Sequence, residues 1–267
     1  ALANLGGVGP AIEQMQAVDG FMDFLPKDLV VPGFMGGVLF IISWLVAGLS
    51  VIGQPHIMVR FMTLDSSANM KQAKAWYYLW FTLFYCMATG VGMLARLYLP
   101  DLGAFDAELA LPTMAQELLP PVLVGLVLAG IFAATLSTAD SLALSCSAAL
   151  THDILPRKVE KTWLLKVTTI FITGIALCLA LMNNQSVFSM VIMAWSGLAS
   201  AFAPLLIFLC LGKRPTEMVS IVAVIVGFVT ALAWRQLGLH GFVYEGLPGM
   251  FAGFVILFLS GVKSKAI

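Results

Sequence analysis

Three residues on one helical face are the strongest candidates for chemistry in this sequence. Ala134, Ser137 and Thr138 lie in the stretch Ile131–Leu155, IFAATLSTADSLALSCSAALTHDIL. Their spacing, i, i+3, i+4, places them on one side of a helix. Two hydroxyls and a main-chain carbonyl one turn earlier can converge there on a point. Hard cations take several oxygen ligands, and neutral oxygens hold an ion such as Na+ without trapping it. A bland alternative stands beside this: Ser and Thr in membrane helices also bond back to the i−4 carbonyl or join neighbouring helices. Asp140 and Ser141 follow directly. A carboxylate at membrane depth must be protonated or partnered. A second cation subsite, proton coupling and a hydrogen bond to a neighbouring helix are all open to Asp140.

The second candidate is a helix that opens. In VAGLSVIGQPHIMVRFM, Gly48, Ser50, Gly53 and Pro55 fall close together. Glycine lowers the cost of unwinding, and proline removes a donor and clashes with the preceding turn. Non-helical backbone at membrane depth is tolerated only where protein buries it or it lines a cavity. Discontinuous helices of this kind form solute sites in membrane transporters. A simple kink near the cytoplasmic end would read the same way in sequence.

The chain that carries these residues is 60% hydrophobic and only 10% charged, with zero net charge. That composition belongs in lipid and not in water, and it offers nothing to a nucleic-acid partner. Seven apolar segments are expected at about 30–53, 75–98, 119–150, 163–182, 186–211, 217–237 and 246–262, each near the ~20 residues that cross a bilayer. Residues 1–29 are expected to form an external loop or surface helix, with the membrane bundle from 30 to 267.

The basic residues test that division. Arg60, Lys71, Lys74, Arg157, Lys158, Lys161, Lys166, Lys213, Arg214, Lys263 and Lys265 fall in alternate connections and the tail, leaving Lys27, Arg96 and Arg235 on the other side. This bias predicts an external N-terminus and a cytoplasmic C-terminus in a cell membrane. The outer link after the second segment is acidic, with Asp101, Asp106, Glu108 and Glu117, and DAELALPTMAQELL within it predicts a short amphipathic helix. Trp76, Tyr77, Tyr78 and Trp80 read as an interfacial aromatic belt. Cys86, Cys146, Cys178 and Cys210 read as core residues and not as a disulfide framework.

With these residues in view, the chain resembles the sodium:solute symporter family, nearest its sodium/proline branch. GQPHIMVRFM at 53–62, AATLSTADS with CSAALTHDIL at 133–155, and the stretches MAWSGLASAFAPLL at 193–206 and WRQLG to VYEGLPG at 234–249 carry the likeness. The resemblance implies an all-α integral membrane fold. The seven spans would match the second inverted repeat of a five-plus-five transporter and two peripheral helices. It implies that the chain is part of a longer protein, with the first repeat as its missing partner. It implies Na+ as coupling ion, held by the Ala134 carbonyl and the Ser137 and Thr138 hydroxyls, with the remaining ligands on the first repeat. It also implies that Pro55 contacts a small-molecule solute, together with Gln54 and the positions eight and four before Pro55. Proline-transporting members carry aromatic residues there, and this chain has Ala47 and Val51. The favoured function is sodium-coupled symport of proline, another amino acid or a small organic acid, by alternating access.

Two other classes compete. A solute-sensing module of a signalling protein would use the same membrane bundle, and the C-terminus of the complete gene would separate the two. Intramembrane proteolysis fits poorly. AWSG at 194–197 lacks the leading glycine of a Gly-x-Ser-Gly nucleophile motif, and His56, His152 and His240 all lie at edges or loops. An aspartyl mechanism needs a second membrane aspartate beside Asp140.

Overall fold

The computed structural model describes residues 1–99, 106–154, 162–182 and 186–260. Among the described residues every regular element is helical. In chain order the α-helices are α1 (Val8–Ala17), α2 (Gly33–Leu49), α3 (Pro55–Met58), α4 (Met70–Tyr98), α5 (Ala110–Leu118), α6 (Pro121–Ala148), α7 (Thr162–Met182), α8 (Val187–Cys210), α9 (Glu217–Gln236) and α10 (Gly246–Leu259). The basic residues Arg157, Lys158, Lys161, Lys263 and Lys265, the acidic Asp101 and the last residues of the expected seventh span lie outside the described residues.

Six of the expected segments are helices long and apolar enough to cross a membrane. The seventh differs: α10 has 14 residues, about 21 Å of helix at ~1.5 Å per residue, short of the ~30 Å hydrocarbon core. It starts at Gly246, where the sequence places the seventh segment, and ends at Leu259. Tyr244 and Glu245, just before α10, are 8% and 2% exposed, so the chain enters this helix from a buried polar loop. Such a loop is stable only because protein groups satisfy it.

The chain divides into two compact units, Ala1–Phe24 with Leu64–Leu177, and Leu25–Thr63 with Cys178–Ile267. In the first, α1 packs on α4 and buries Ala11 and Met15. The short helix expected in the acidic link is α5; before it, Asp106 caps a 3-10 turn over Ala107–Leu109 by accepting a hydrogen bond from the Glu108 amide at 3.0 Å. The 28 residues of α6 extend about 42 Å and continue into a π turn over Ala149–Ile154. Near that end Ser147 donates to the Leu165 carbonyl at 3.2 Å and accepts from Thr169 at 2.9 Å, joining α6 to α7.

In the second unit α8 is the central helix. Its buried face carries Ser196, Gly197, Ala199, Ser200, Ala201 and Ala203. Small residues let neighbouring backbones approach, which is how membrane helices gain packing without a hydrophobic driving force. At Gly227 of α9 and Gly249 of α10 any Cβ would overlap Ser200. Pro204 has no N–H for the Ser200 carbonyl one turn earlier, and that carbonyl faces Gly227 and Gly253. Farther along, Phe208, Ala223 and Leu257 close a second cluster across the three helices.

Helix directions follow from the pairs that meet. Phe188 of α8 lies beside Trp44 of α2, and Ala199 beside Gly53; α2 and α8 therefore run parallel. Arg235, near the end of α9, reaches Ser189, near the start of α8, so α9 is antiparallel to both. Phe208 and Phe258 pair near the ends of α8 and α10, which makes these two parallel.

Candidate cation face and broken helix

The sequence predicts Ala134, Ser137 and Thr138 on one face of a helix, and all three lie in the uninterrupted part of α6. The Thr138 hydroxyl donates to the Ala134 carbonyl at 3.1 Å. The bland alternative is therefore realised as a hydrogen bond, and the same bond holds the two oxygens together. Na+ is close to Ca2+ in size, and adjacent oxygens about 2.3–2.6 Å from such an ion stand roughly 3.3–3.7 Å apart. The observed pair is a few tenths of an ångström tighter, a gap that a small rotation of the Thr138 side chain closes. Ser137 keeps its hydroxyl without a hydrogen-bond partner among the described residues. All three residues are exposed on α6, so their oxygens face outward from the first unit.

Ser141, half-buried, bonds back to the Ser137 carbonyl at 2.9 Å. Asp140 is exposed and has no ion pair or hydrogen bond among the described residues. It points away from the Thr138 side of the helix, since successive residues turn by about 100°.

The second unit holds the break. α2 ends at Leu49, a 3-10 turn covers Ser50–Gly53, and Gln54 is extended (φ −93°, ψ 105°) before α3 begins with Pro55. Gln54 caps that restart: its carbonyl accepts from the Ile57 and Met58 amides at 3.0 and 2.9 Å. Proline suits the first helical position because its missing donor would have no partner there. Gly53 is required by proximity. A Cβ would overlap the Ala199 backbone. Ala199 is midway along α8, so the helix opens beside the middle of its neighbour and not at its end.

The predicted solute residues separate around this break. Ala47 and Val51 are half-buried. Pro55 is exposed and lines an apolar cleft of about 230 Å3 with Ile52, Met58, Phe202 and Leu205. Gln54 is 1% exposed, and its amide donates to the Ser50 and Trp195 carbonyls at 3.3 Å each. That side chain braces the break against α8.

Sequence reasoning missed a polar network beside this break. Arg235 bonds Glu245 Oε1 at 2.7 Å, with the two side chains 15% and 3% exposed. Ser196 donates to the same oxygen at 3.2 Å, and Arg235 reaches Ser189 Oγ at 2.7 Å. Next in the chain, the Tyr244 phenol lies 2.9 Å from Ser50 Oγ, and its amide donates to Ser43 Oγ at 3.2 Å. Burial pushes the Tyr244 phenol up to about 12; the Ser50 hydrogen bond opposes this and Glu245 adds to it. The signal was present in the sequence: Arg235 and Glu245 are the charges flanking the link between the last two segments. Arg235 had been read only as a marker of sidedness.

Among the described residues every regular element is helical and six apolar helices are long enough to cross a bilayer, which marks an integral membrane protein. More narrowly, it belongs to the sodium:solute symporter family, whose model matches residues 1–227. Among its relatives, the high-affinity proline transporter PutP of Bacillus subtilis (strain 168) is 29% identical, covering 98% of this chain and 56% of PutP. The sodium/proline symporter of Escherichia coli (strain K12) is 29% identical, covering 99% of this chain and 54% of the relative. The osmoregulated proline transporter OpuE of Bacillus subtilis (strain 168) is 30% identical over 100% of this chain and 56% of OpuE. The chain thus spans about half the length of the curated relatives it matches. No solved structure gives a significant match.

Proposed function

We propose that the full-length protein performs sodium-coupled symport of a small organic solute across the cell membrane by alternating access. The observation that carries this reading is the α6 face. The Ala134 carbonyl and Thr138 hydroxyl are 3.1 Å apart, and the Ser137 hydroxyl beside them is unpartnered among the described residues. Family membership makes Na+ the ion for which these neutral oxygens are suited. Ala134, Ser137 and Thr138 form one wall of the site, and the first repeat of the longer protein supplies the other. Asp140 and Ser141, next along α6, are candidates for a second cation subsite.

In this reading the described helices belong to the second inverted repeat, with α9 and α10 peripheral and α10 as a seventh, short span. The N-terminus of the chain is external and its C-terminus cytoplasmic. The opened backbone between α2 and α3 forms part of the solute site, with Ala47, Val51 and Pro55 on it and Gln54 bracing it. The relatives named for proline make an amino acid the favoured solute. Ala47 and Val51 leave more room than the aromatic residues of proline-transporting members, which suits another amino acid or a small organic acid.

The test is uptake by the reconstituted full-length protein, using a panel of amino acids and small organic acids. An inward sodium gradient should drive accumulation of at least one of them. Accumulation that proceeds equally in potassium would rule the reading out.

A further inference from the structure

We infer that Tyr244 is a positioning residue for solute transport: through Ser50 it fixes the opened segment between α2 and α3, and the Glu245–Arg235 pair holds it in place. This rests on the symport reading given above.

Ser50 is fully buried, and its hydroxyl donates to the Val46 carbonyl at 3.2 Å. Its oxygen also lies 2.9 Å from the Tyr244 phenol, a hydrogen bond that either hydroxyl can donate. Tyr244 is also bound to α2 one step earlier, where its amide donates to Ser43. Ser43 and Ser50 are seven residues apart, two helical turns on one face. The loop thus grips the last two turns of the helix that ends at the break. From Ser50 the restraint continues, because the Ser50 carbonyl accepts from Gln54, which also holds Trp195 on α8.

Tyr244 is itself immobilised from behind. Glu245 accepts from Arg235 and Ser196, and the Trp234 indole donates to the Val243 carbonyl at 3.0 Å. The next residue is Gly246, where any Cβ would overlap the Tyr244 ring. A buried ion pair is a poor source of net stability, since apolar residues of the same volume often do as well. Here the pair fixes a phenol against α2, the helix that opens at Ser50–Gln54. A change in the opened segment on binding solute must strain or break the Tyr244–Ser50 bond, so the bond weighs the states that transport interconverts.

The experiment compares full-length wild type, Tyr244→Phe, Ser50→Ala, the double variant and Ser50→Thr in nanodiscs and proteoliposomes. Loss of one such hydrogen bond should speed amide hydrogen exchange across Val46–Met58 about fivefold, with the α6 amides unchanged. Tyr244→Phe and Ser50→Ala should change the maximal uptake rate severalfold and leave the half-saturating sodium concentration within twofold. The double variant should be no worse than either single change, and Ser50→Thr should retain wild-type behaviour. Unchanged exchange in Val46–Met58 overturns the inference. So does faster exchange with an unchanged uptake rate, which would make the bond structural only. If wild type shows no sodium-dependent uptake while Tyr244→Phe still speeds exchange at Val46–Met58, the symport reading fails and the restraint of the break by Tyr244 is upheld.

Discussion

The Thr138 hydroxyl donates to the Ala134 carbonyl across 3.1 Å. A back-bonded threonine is ordinary in a membrane helix, yet here it brings together two of the three oxygens proposed for the cation. Thr138→Ala should raise the half-saturating sodium concentration for uptake about tenfold, ~1.4 kcal/mol of binding. Ser137→Ala should act similarly, and Thr138→Ser, which keeps the oxygen, should stay near wild type. Uptake against sodium concentration checks this, alongside membrane expression levels.

Gly53 sits where a Cβ would overlap the Ala199 backbone. Gly53→Ala should force the 3-10 turn away from α8 and cost about 1–3 kcal/mol, as overpacking does. Gly48, in the last turn of α2, has nothing within 4 Å of such a Cβ. Gly48→Ala should be neutral or stabilising by up to ~1 kcal/mol. Thermal unfolding of both variants in one detergent gives the comparison.

The Arg235–Glu245 pair should show the asymmetry of buried charges. Arg235→Met leaves Glu245 buried without its cation and should cost about 3–5 kcal/mol, whereas the Arg235→Met, Glu245→Met double variant should recover most of that loss. A double variant no more stable than the single one would show that the charge is not what the site restrains. Denaturation of the purified variants measures it.

Tyr244 gives the pH dependence. Its folded-state value of about 12 lies above the ordinary 10.0 because burial favours the neutral phenol. Below pH 10 both folded and unfolded states keep the proton, and the contribution to stability is complete. Between about 10 and 12 the unfolded chain loses the proton first, so stability falls as pH rises. Tyr244→Phe should remove this part of the decline. Unfolding temperatures of the two proteins at several pH values across that window will show it.

Most of the helices were legible because twenty apolar residues in a row have few other solutions. The α6 face was legible for the same reason: a fixed helical period turns i, i+3, i+4 into geometry. The Gly48, Ser50, Gly53, Pro55 cluster marked the break but not its depth, which came from Gly53 meeting Ala199 halfway along α8. The contact of Arg235 with Glu245 was not legible because periodicity says nothing of a loop that turns inward. Their ten-residue separation conceals a 2.7 Å contact. The start of α10 at Gly246 was legible as well, and its end at Leu259 falls within one turn of the expected 262. Gln54 looks like a solute ligand in sequence; only its contacts with Ser50 and Trp195 show how much of it is occupied by the fold.

The central claim is that solute and sodium move together through a site walled by α6. The most direct test is radiosodium entry into proteoliposomes holding the full-length protein, with the transported solute added outside and no imposed gradient. Solute should stimulate radiosodium entry in wild type, and the Ser137→Ala, Thr138→Ala double variant should lose that stimulation at the same sodium concentration. Solute entry without radiosodium, or stimulation unchanged in the double variant, would contradict the account.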